Sequence, residues 1–481
     1  KDIKVLNQHE AISIDRRKKL IEVRELRTGE SFELTYDRLV LTTGARALLP
    51  EIPGMDLDNI FTLHRIRDAE GLRRILSGDL ARDAVIVGGG LIGTETAEAL
   101  TEGGARVTVV EKRDRILEIL DPEMAALVER HMRTKGVKIY TGTAVTRFEG
   151  EGRVARVITP REEIAADFVL LATGVGPEVT LAREAGLELG ETGAIRVNKF
   201  LATSDPDIFA GGDCVENRDL VTGRPVYMPL GSTANKHGRI IGINVTGGKE
   251  SFPGITTTTI LKVFDYNVSR VGLSVREAEA AGYRVITSIC PALDKASFYP
   301  GSRPVIVKLV VDRNSERLLG AQVIGPGDVS KRIDIAAALI FKEGTVSELA
   351  TLDLAYAPPY SEAIDSIAQA ANIVKNKLAG TYRGITPLRL EERLRTQPDD
   401  IFLIDVSTEA EYEKESIPGS TLIPLGTLRG RLEELPQDRE IVLVSSTGLR
   451  AYEAALIMQS EGFTRVRALD GGVAVWPFAR G

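Results

Sequence analysis

The chain offers little sulfur chemistry. Its 481 residues include two cysteines, Cys214 and Cys290, and four scattered histidines, His9, His64, His131 and His237. No CxxC pair and no His/Cys spacing of a ligand set occurs, so no metal site is expected. So few cysteines exclude a disulfide framework and suit a reducing cytoplasm, the compartment expected here. No apolar run approaches the roughly 18–20 residues that cross a bilayer, and no signal peptide stands at the start, so no membrane association is expected. No Lys/Arg stripe is present either. With 61 basic against 68 acidic residues and a net charge of −7, a nucleic-acid partner is not expected. What remains is an ordinary composition over a length that suggests three or four domains.

Strand and helix signals alternate along it. Residues 4–15, 20–26 and 32–35 read as strands, with a turn at Thr28-Gly29. Residues 37–43 are a short apolar run closed by Gly44. Residues 84–87, 106–111 and 137–140 read as buried strands, separated by helices over 91–103 and 122–135. Residues 145–157 suggest a short antiparallel excursion, and FVLLATG at 168–174 repeats the earlier LVLTTG almost residue for residue. From 251 to 379 the pattern is β-rich with helices such as 275–281 and 333–343. A linker lies near 378–387, and a compact α/β pattern follows from 388. The class is α/β, with doubly wound sheets predominating.

The strongest local motif is Val87-Gly88-Gly89-Gly90-Leu91-Ile92-Gly93, a G-x-G-x-x-G that closes one predicted strand and opens one predicted helix. Gly88 permits the tight turn, Gly90 lets backbone approach a pyrophosphate, and Gly93 lets helix and strand pack closely. The helix N-terminus then offers unpaired N–H groups to the anion. Glu111 ends the next strand, 18 residues after Gly93, where it can accept hydrogen bonds from a ribose 2′-OH. A carboxylate there repels a 2′-phosphate, so NAD(H) is favoured, while Lys112 and Arg113 leave room for NADP(H). The plainer reading is a glycine-rich turn without ligand. Strand, helix and acidic residue all standing where the chemistry needs them favours the cofactor.

With these motifs in hand, the chain resembles the pyridine nucleotide–disulfide oxidoreductases, in the branch of coenzyme A disulfide and persulfide reductases that carry a rhodanese tail. The resemblance rests on Tyr36-Asp37-Arg38-Leu39-Val40-Leu41-Thr42-Thr43-Gly44-Ala45, the NAD loop, Leu171-Ala172-Thr173-Gly174, the stretch TSDPDIFAGGD at 203–213, and Tyr356-Ala357-Pro358-Pro359-Tyr360-Ser361. It implies two Rossmann-like dinucleotide-binding domains, an α+β dimerisation domain and a rhodanese-like domain. The corresponding segments are 1–65 with 191–250 for FAD, 66–190 for NAD(P)H, 251–380 for dimerisation and 381–481 for the rhodanese-like part. By resemblance, Asp213 accepts hydrogen bonds from the FAD ribityl chain, or else caps a helix, and Gly212 lets backbone come close. Gly44 and Gly174 mark chain crossings between the nucleotide domains. Glu95 falls near the nicotinamide, or is a solvated helix carboxylate. The resemblance also implies a homodimer whose partner-subunit tyrosines face the substrate sulfur. Tyr299 and Tyr356 match these best, with Tyr360 competing. A phenol there can donate a hydrogen bond to a thiolate or act as an acid.

Two family features are missing. The family opens with its own strand–GxGxxG–helix for the ADP half of FAD, and a redox-active cysteine follows. Lys1 aligns past both. A truncated first domain is therefore expected, with weak FAD binding and exposed apolar surface. In the tail, Phe402-Leu403-Ile404-Asp405-Val406 and Leu469-Asp470-Gly471-Gly472 resemble rhodanese markers, but the persulfide-carrying cysteine position is Ser445. A serine hydroxyl without a base is no sulfur nucleophile, so no sulfurtransferase activity is expected. The loop around Ser445, Gly448 and Arg450 is left to cradle an anion or to serve docking alone. The resemblance implies NAD(P)H-dependent, FAD-mediated reduction of a coenzyme A disulfide, persulfide or polysulfide. An NADH oxidase or peroxidase is the first alternative, and a non-catalytic nucleotide-binding protein the second.

Overall fold

Short, apolar, β-branched runs dictate the sheets, and the computed structural model describes them over residues 3–76 and 82–480. Backbone packing divides the chain into two units. One comprises Lys1–Pro50 and Thr173–Thr257, the other Glu51–Ala172 and Thr258–Gly481.

In the first unit, His9–Asp15, Leu20–Glu25 and Ser31–Thr35 form an antiparallel meander. Gly29, at φ +79°, supplies the left-handed residue of the turn between its last two strands. Leu39–Leu41 pairs in parallel with Ile208–Ala210, and Ala45–Ala47 pairs antiparallel with Val175–Pro177. The repeated Thr-Gly motif sits at the ends of that antiparallel pair and is used twice in the same way. Thr43 Oγ1 donates to the Glu178 carbonyl at 2.5 Å while the Glu178 N–H donates to the Gly44 carbonyl. Thr173 Oγ1 donates to the Leu48 carbonyl at 2.6 Å while the Leu48 N–H donates to the Gly174 carbonyl. Val40, Leu48 and Leu49 are exposed.

Among the described residues the second unit holds three five-stranded sheets and one three-stranded sheet. The first is all parallel, in the order Ile60–Thr62, Phe168–Leu171, Asp83–Val87, Arg106–Val110, Lys138–Tyr140. Its central strands read DAVIV and FVLL because both faces are covered. The excursion expected at 145–157 is a three-stranded antiparallel sheet reaching to Ala165. The second sheet is antiparallel and five-stranded, ordered Thr259–Val263, Tyr266–Gly272, Leu318–Gly325, Pro304–Asp312, Val285–Leu293. The third is parallel, ordered Gly384–Ile385, Val466–Leu469, Glu440–Val444, Ile401–Asp405, Thr421–Leu422. One apolar cluster joins all three parts, with Ile86 and Met124 from the nucleotide part, Val268 and Ile289 from the antiparallel part and Val475 from the tail.

Some boundaries differ from the sequence reading. The unit limits fall at Pro50 and Ala172, where the segments expected from sequence end at 65 and 190. At the first of these limits the reason is Ile60–Thr62, which adds an edge strand to the parallel sheet. The stretch before the linker contains a helix the apolar spacing did not reveal, Ser366–Leu378, started by Asp365, whose carboxylate accepts from the Ile367 N–H at 3.2 Å. Among the described residues no helix is long and apolar enough to cross a membrane.

Candidate functional site

The glycine loop lies between Asp83–Val87 and the helix Leu91–Glu102. Gly88 has φ +111°, which a side chain would resist. Gly90 caps the helix in an extended conformation, and a Cβ built on it would meet nothing within 4 Å. Space therefore remains for a ligand to meet the backbone there. A Cβ on Gly93 would stand 2.0 Å from the Gly88 carbonyl oxygen, so the close approach of helix and loop requires glycine. Glu111 follows the strand Arg106–Val110 directly. Its carboxylate accepts from the Gly89 N–H at 2.6 Å and from the Arg113 N–H at 2.8 Å. Two backbone donors thus fix an anionic acceptor at the rim of the loop. Arg113 itself pairs with Glu118. Open backbone at a helix N-terminus with a pinned carboxylate beside it is the donor and acceptor set an NAD(H) molecule requires.

Glu95 stands exposed on the same helix. Partial desolvation of its carboxyl, with the charge of Glu98 second, pushes its pKa up. Glu98 is instead buried and structural, pairing with Lys262 and accepting from the Phe264 N–H at 2.6 Å.

In the first unit, Gly44, Gly174 and Gly212 all have positive φ, at +75°, +103° and +79°. A Cβ built on each would meet nothing closer than 3.7 Å, so backbone is open to a ligand at all three. Asp213 lies in the middle of the short turn Gly212–Cys214, and its carbonyl accepts from the Tyr227 hydroxyl at 3.0 Å. Behind the turn lies His237, fully buried. Its Nδ1 accepts the Gly212 N–H at 3.2 Å, and burial pushes its pKa down to about 4. A neutral imidazole thus fixes the Gly212 peptide. Sequence reasoning left His237 among the scattered histidines; its place on the helix Gly231–Asn244, outside every motif read from the sequence, gave no signal. These residues fit the ribityl portion of FAD. The one strand–GxGxxG–helix unit among the described residues is the loop at Gly88, so the FAD pyrophosphate has no matching loop here.

Tyr299 and Tyr356 are both exposed, at 38% and 54%. Their segments are tied together by Arg332, fully buried, which donates to the Asp294 carbonyl at 2.7 Å and to both Asp365 oxygens at 3.1 and 2.9 Å. Phe298, Tyr360 and Ile364 are exposed in the same two segments. Both cysteines are buried and free. Cys214 is buried and its thiol points at the Gly211 carbonyl, 3.3 Å away. Burial pushes the Cys290 thiol up to about 12.

In the tail, Ser445 is buried at the start of the helix Leu449–Ser460. Its Oγ accepts the N–H groups of Gly448 and Ala451, both at 3.2 Å. A Cβ on Gly472 would fall 2.0 Å from the Ser445 carbonyl, so the neighbouring loop packs tightly over it. Arg450 donates to both oxygens of Glu411, at 2.7 and 2.5 Å, and Ser446 donates to the same carboxylate at 3.1 Å. The Arg450 guanidinium, with Thr408 N–H second, holds the Glu411 carboxyl far below the usual range. The loop's cation and two of its N–H groups are therefore engaged internally. Ser445 Oγ engages the N–H groups, and Glu411, which sequence reading passed over, engages the cation.

A family profile described as pyridine nucleotide-disulphide oxidoreductase matches residues 1–238; the dimerisation domain of the same family matches 258–368, and a rhodanese-like domain 386–477. An NAD(P)H sulfur oxidoreductase (CoA-dependent) of Pyrococcus abyssi is 38% identical over 356 residues, which is 74% of this chain and 79% of that protein. An NADH oxidase of Methanocaldococcus jannaschii is 32% identical, covering 79% of this chain and 84% of its own. The solved structure of an NAD-dependent persulfide reductase from A. fulgidus superposes with a TM-score of 0.93 at 42% identity, covering 99% of this chain and 86% of that one.

Proposed function

Since the chain belongs to the pyridine nucleotide-disulphide oxidoreductase family, we propose that its function is NAD(P)H-dependent reduction of a coenzyme A disulfide, persulfide or polysulfide. The observation that carries the nucleotide half of this reading is the Glu111 carboxylate pinned to the Gly89 N–H beside an open Gly90. When bound, FAD supplies two-electron transfer between nicotinamide and sulfur.

The chain's own residues position and select. Gly88, Gly90 and Gly93 bring the helix N-terminus to the pyrophosphate. Glu111 accepts from the ribose hydroxyls and disfavours a 2′-phosphate. Arg113 beside it pairs with Glu118. Gly212 and Asp213 would hold the ribityl chain of FAD. Tyr299 and Tyr356, exposed beside Phe298 and Tyr360, line the face on which a second copy of the chain packs, and the phenols serve that copy's sulfur substrate. Similarity over 99% of the chain to a persulfide reductase supports the sulfur reading. The relative named as an NADH oxidase supports oxygen as the second reading.

The test is anaerobic NADH oxidation by the purified chain with FAD and coenzyme A persulfide, run beside an aerobic sample without sulfur. Sulfur-dependent oxidation is the expected result. Oxidation that needs only oxygen would favour the oxidase. NADH binding with neither would leave a nucleotide-binding protein and remove the catalytic reading.

A further inference from the structure

The tail contains a cavity of about 680 Å³ at the end of its sheet opposite the Ser445 loop. The geometry follows from the parallel strands. Ser445 follows the C-terminal end of Glu440–Val444, whereas the cavity is lined by Ile401, Phe402 and Leu403, at the N-terminal end of the neighbouring parallel strand. Leu394, Ile417, Pro418, Trp476 and Phe478 complete apolar walls, with the Trp476 and Phe478 rings packed edge to face at 5.0 Å. At the rim stand Arg395, Arg439 and Glu391. Glu440, next to Arg439 in sequence, is half-buried and claimed by Arg393 and Arg467. Arg395 and Arg439 are exposed and have no carboxylate partner among the described residues.

We propose that this cavity binds a small amphipathic anion, an apolar body carrying one carboxylate or phosphate head. Apolar walls of this volume with a few convergent polar groups are the usual form of a small-molecule site. Two unpaired guanidinium groups at the mouth supply charge-assisted donors for the head. Glu391 on the same rim offsets one of them, which suits a single negative charge. The proposal is independent of the reductase reading, because no residue of the nucleotide or ribityl sites takes part.

The chain's one tryptophan is Trp476, so its emission reports this cavity without background. The full-length chain is titrated with octanoate, with octan-1-ol and with inorganic phosphate under selective tryptophan excitation. Octanoate is expected to shift the emission saturably, octan-1-ol to bind about tenfold or more weakly, and phosphate alone to give no saturable change. Replacing both exposed arginines, Arg395→Ala with Arg439→Ala, is expected to raise the octanoate Kd at least about tenfold, the scale of one lost charged hydrogen bond. Unchanged circular dichroism certifies the fold of that variant. Equal affinity for acid and alcohol, indifference to the two substitutions, or no saturable response to octanoate would each overturn the proposal.

Discussion

Lys308→Ala removes the cation from a buried triad. The ammonium lies 2.6 Å from Asp121 Oδ2 and 2.6 Å from Glu123 Oε1, and the three side chains are 2%, 2% and 7% exposed. Lys308 is on the antiparallel sheet; Asp121 and Glu123 begin the helix Pro122–Thr134 of the nucleotide part. Asp121 also accepts the Val275 N–H at 2.9 Å, and its own N–H donates to Gln322 Oε1 at 3.0 Å. The network therefore steadies residues 113–121, whose Leu117 N–H donates to the Gly89 carbonyl at 2.8 Å. Alanine leaves two carboxylates dry and unpaired, which costs about 3–5 kcal/mol. Because several domains unfold together, one global ΔG is ill defined, and amide exchange in Pro122–Thr134 and Pro304–Asp312 is the better assay. Protection there is expected to fall between about a hundredfold and a few thousandfold, at 1.4 kcal/mol per factor of ten. The variant combining Lys308→Met, Asp121→Asn and Glu123→Gln is expected to recover most of it, since no charge is left buried. A loss below about fivefold for Lys308→Ala would refute the reasoning. Burial opposes the Lys308 charge, but Glu123 and Asp121 outweigh it and raise the folded pKa above the ordinary 10.5. Its stabilisation is thus complete below 10.5 and is lost only as pH rises through the higher folded value.

Glu111→Gln is expected to weaken NADH binding by about tenfold or more while NADPH binding improves, read by nucleotide fluorescence titration; an unchanged ratio would remove the ribose role. Ser445→Cys places a thiol where the Gly448 and Ala451 N–H groups point, so its pKa should fall. Alkylation of that thiol is expected to outpace that of buried Cys214 and Cys290, and thiosulfate-to-cyanide sulfur transfer to be absent from the parent chain; turnover by the parent would refute this. His237 is neutral when folded, with its pKa pushed down to about 4 by burial. Stability is therefore lost as pH falls from the unfolded value near 6.5 towards 4, by roughly 3 kcal/mol in all. Exchange protection in the helix Gly231–Asn244 should track that loss, and His237→Asn, which keeps an acceptor for Gly212, should flatten it.

The nucleotide site was legible because its chemistry is local. A strand, three glycines, a helix and an acidic residue lie between Asp83 and Glu111, and glycine is demanded at Gly88 by backbone conformation and at Gly93 by the close approach of the Gly88 carbonyl. The repeated Thr-Gly pairs were legible as a repeat, though not as the mutual hydrogen bonds they form. The vacancy of thiol chemistry at Ser445 was equally plain. Glu411, thirty-four residues earlier in sequence, was not, since nothing local marks a helix glutamate as the partner of Arg450. Lys308 with Asp121 and Glu123, and Lys377 with Asp470 at 2.7 Å, escaped for the same reason.

By itself the sequence determined the fold class, the glycine-dependent nucleotide loop and the family, because each depends on residue identity over a short stretch. Tertiary structure alone decided which charges are paired and which are free. It paired Arg113 and Arg450, buried Lys308 and His237, and left Arg395 and Arg439 over an apolar cavity. Charge pairing is a property of distance through space and of exclusion from water, and neither quantity is written along the chain.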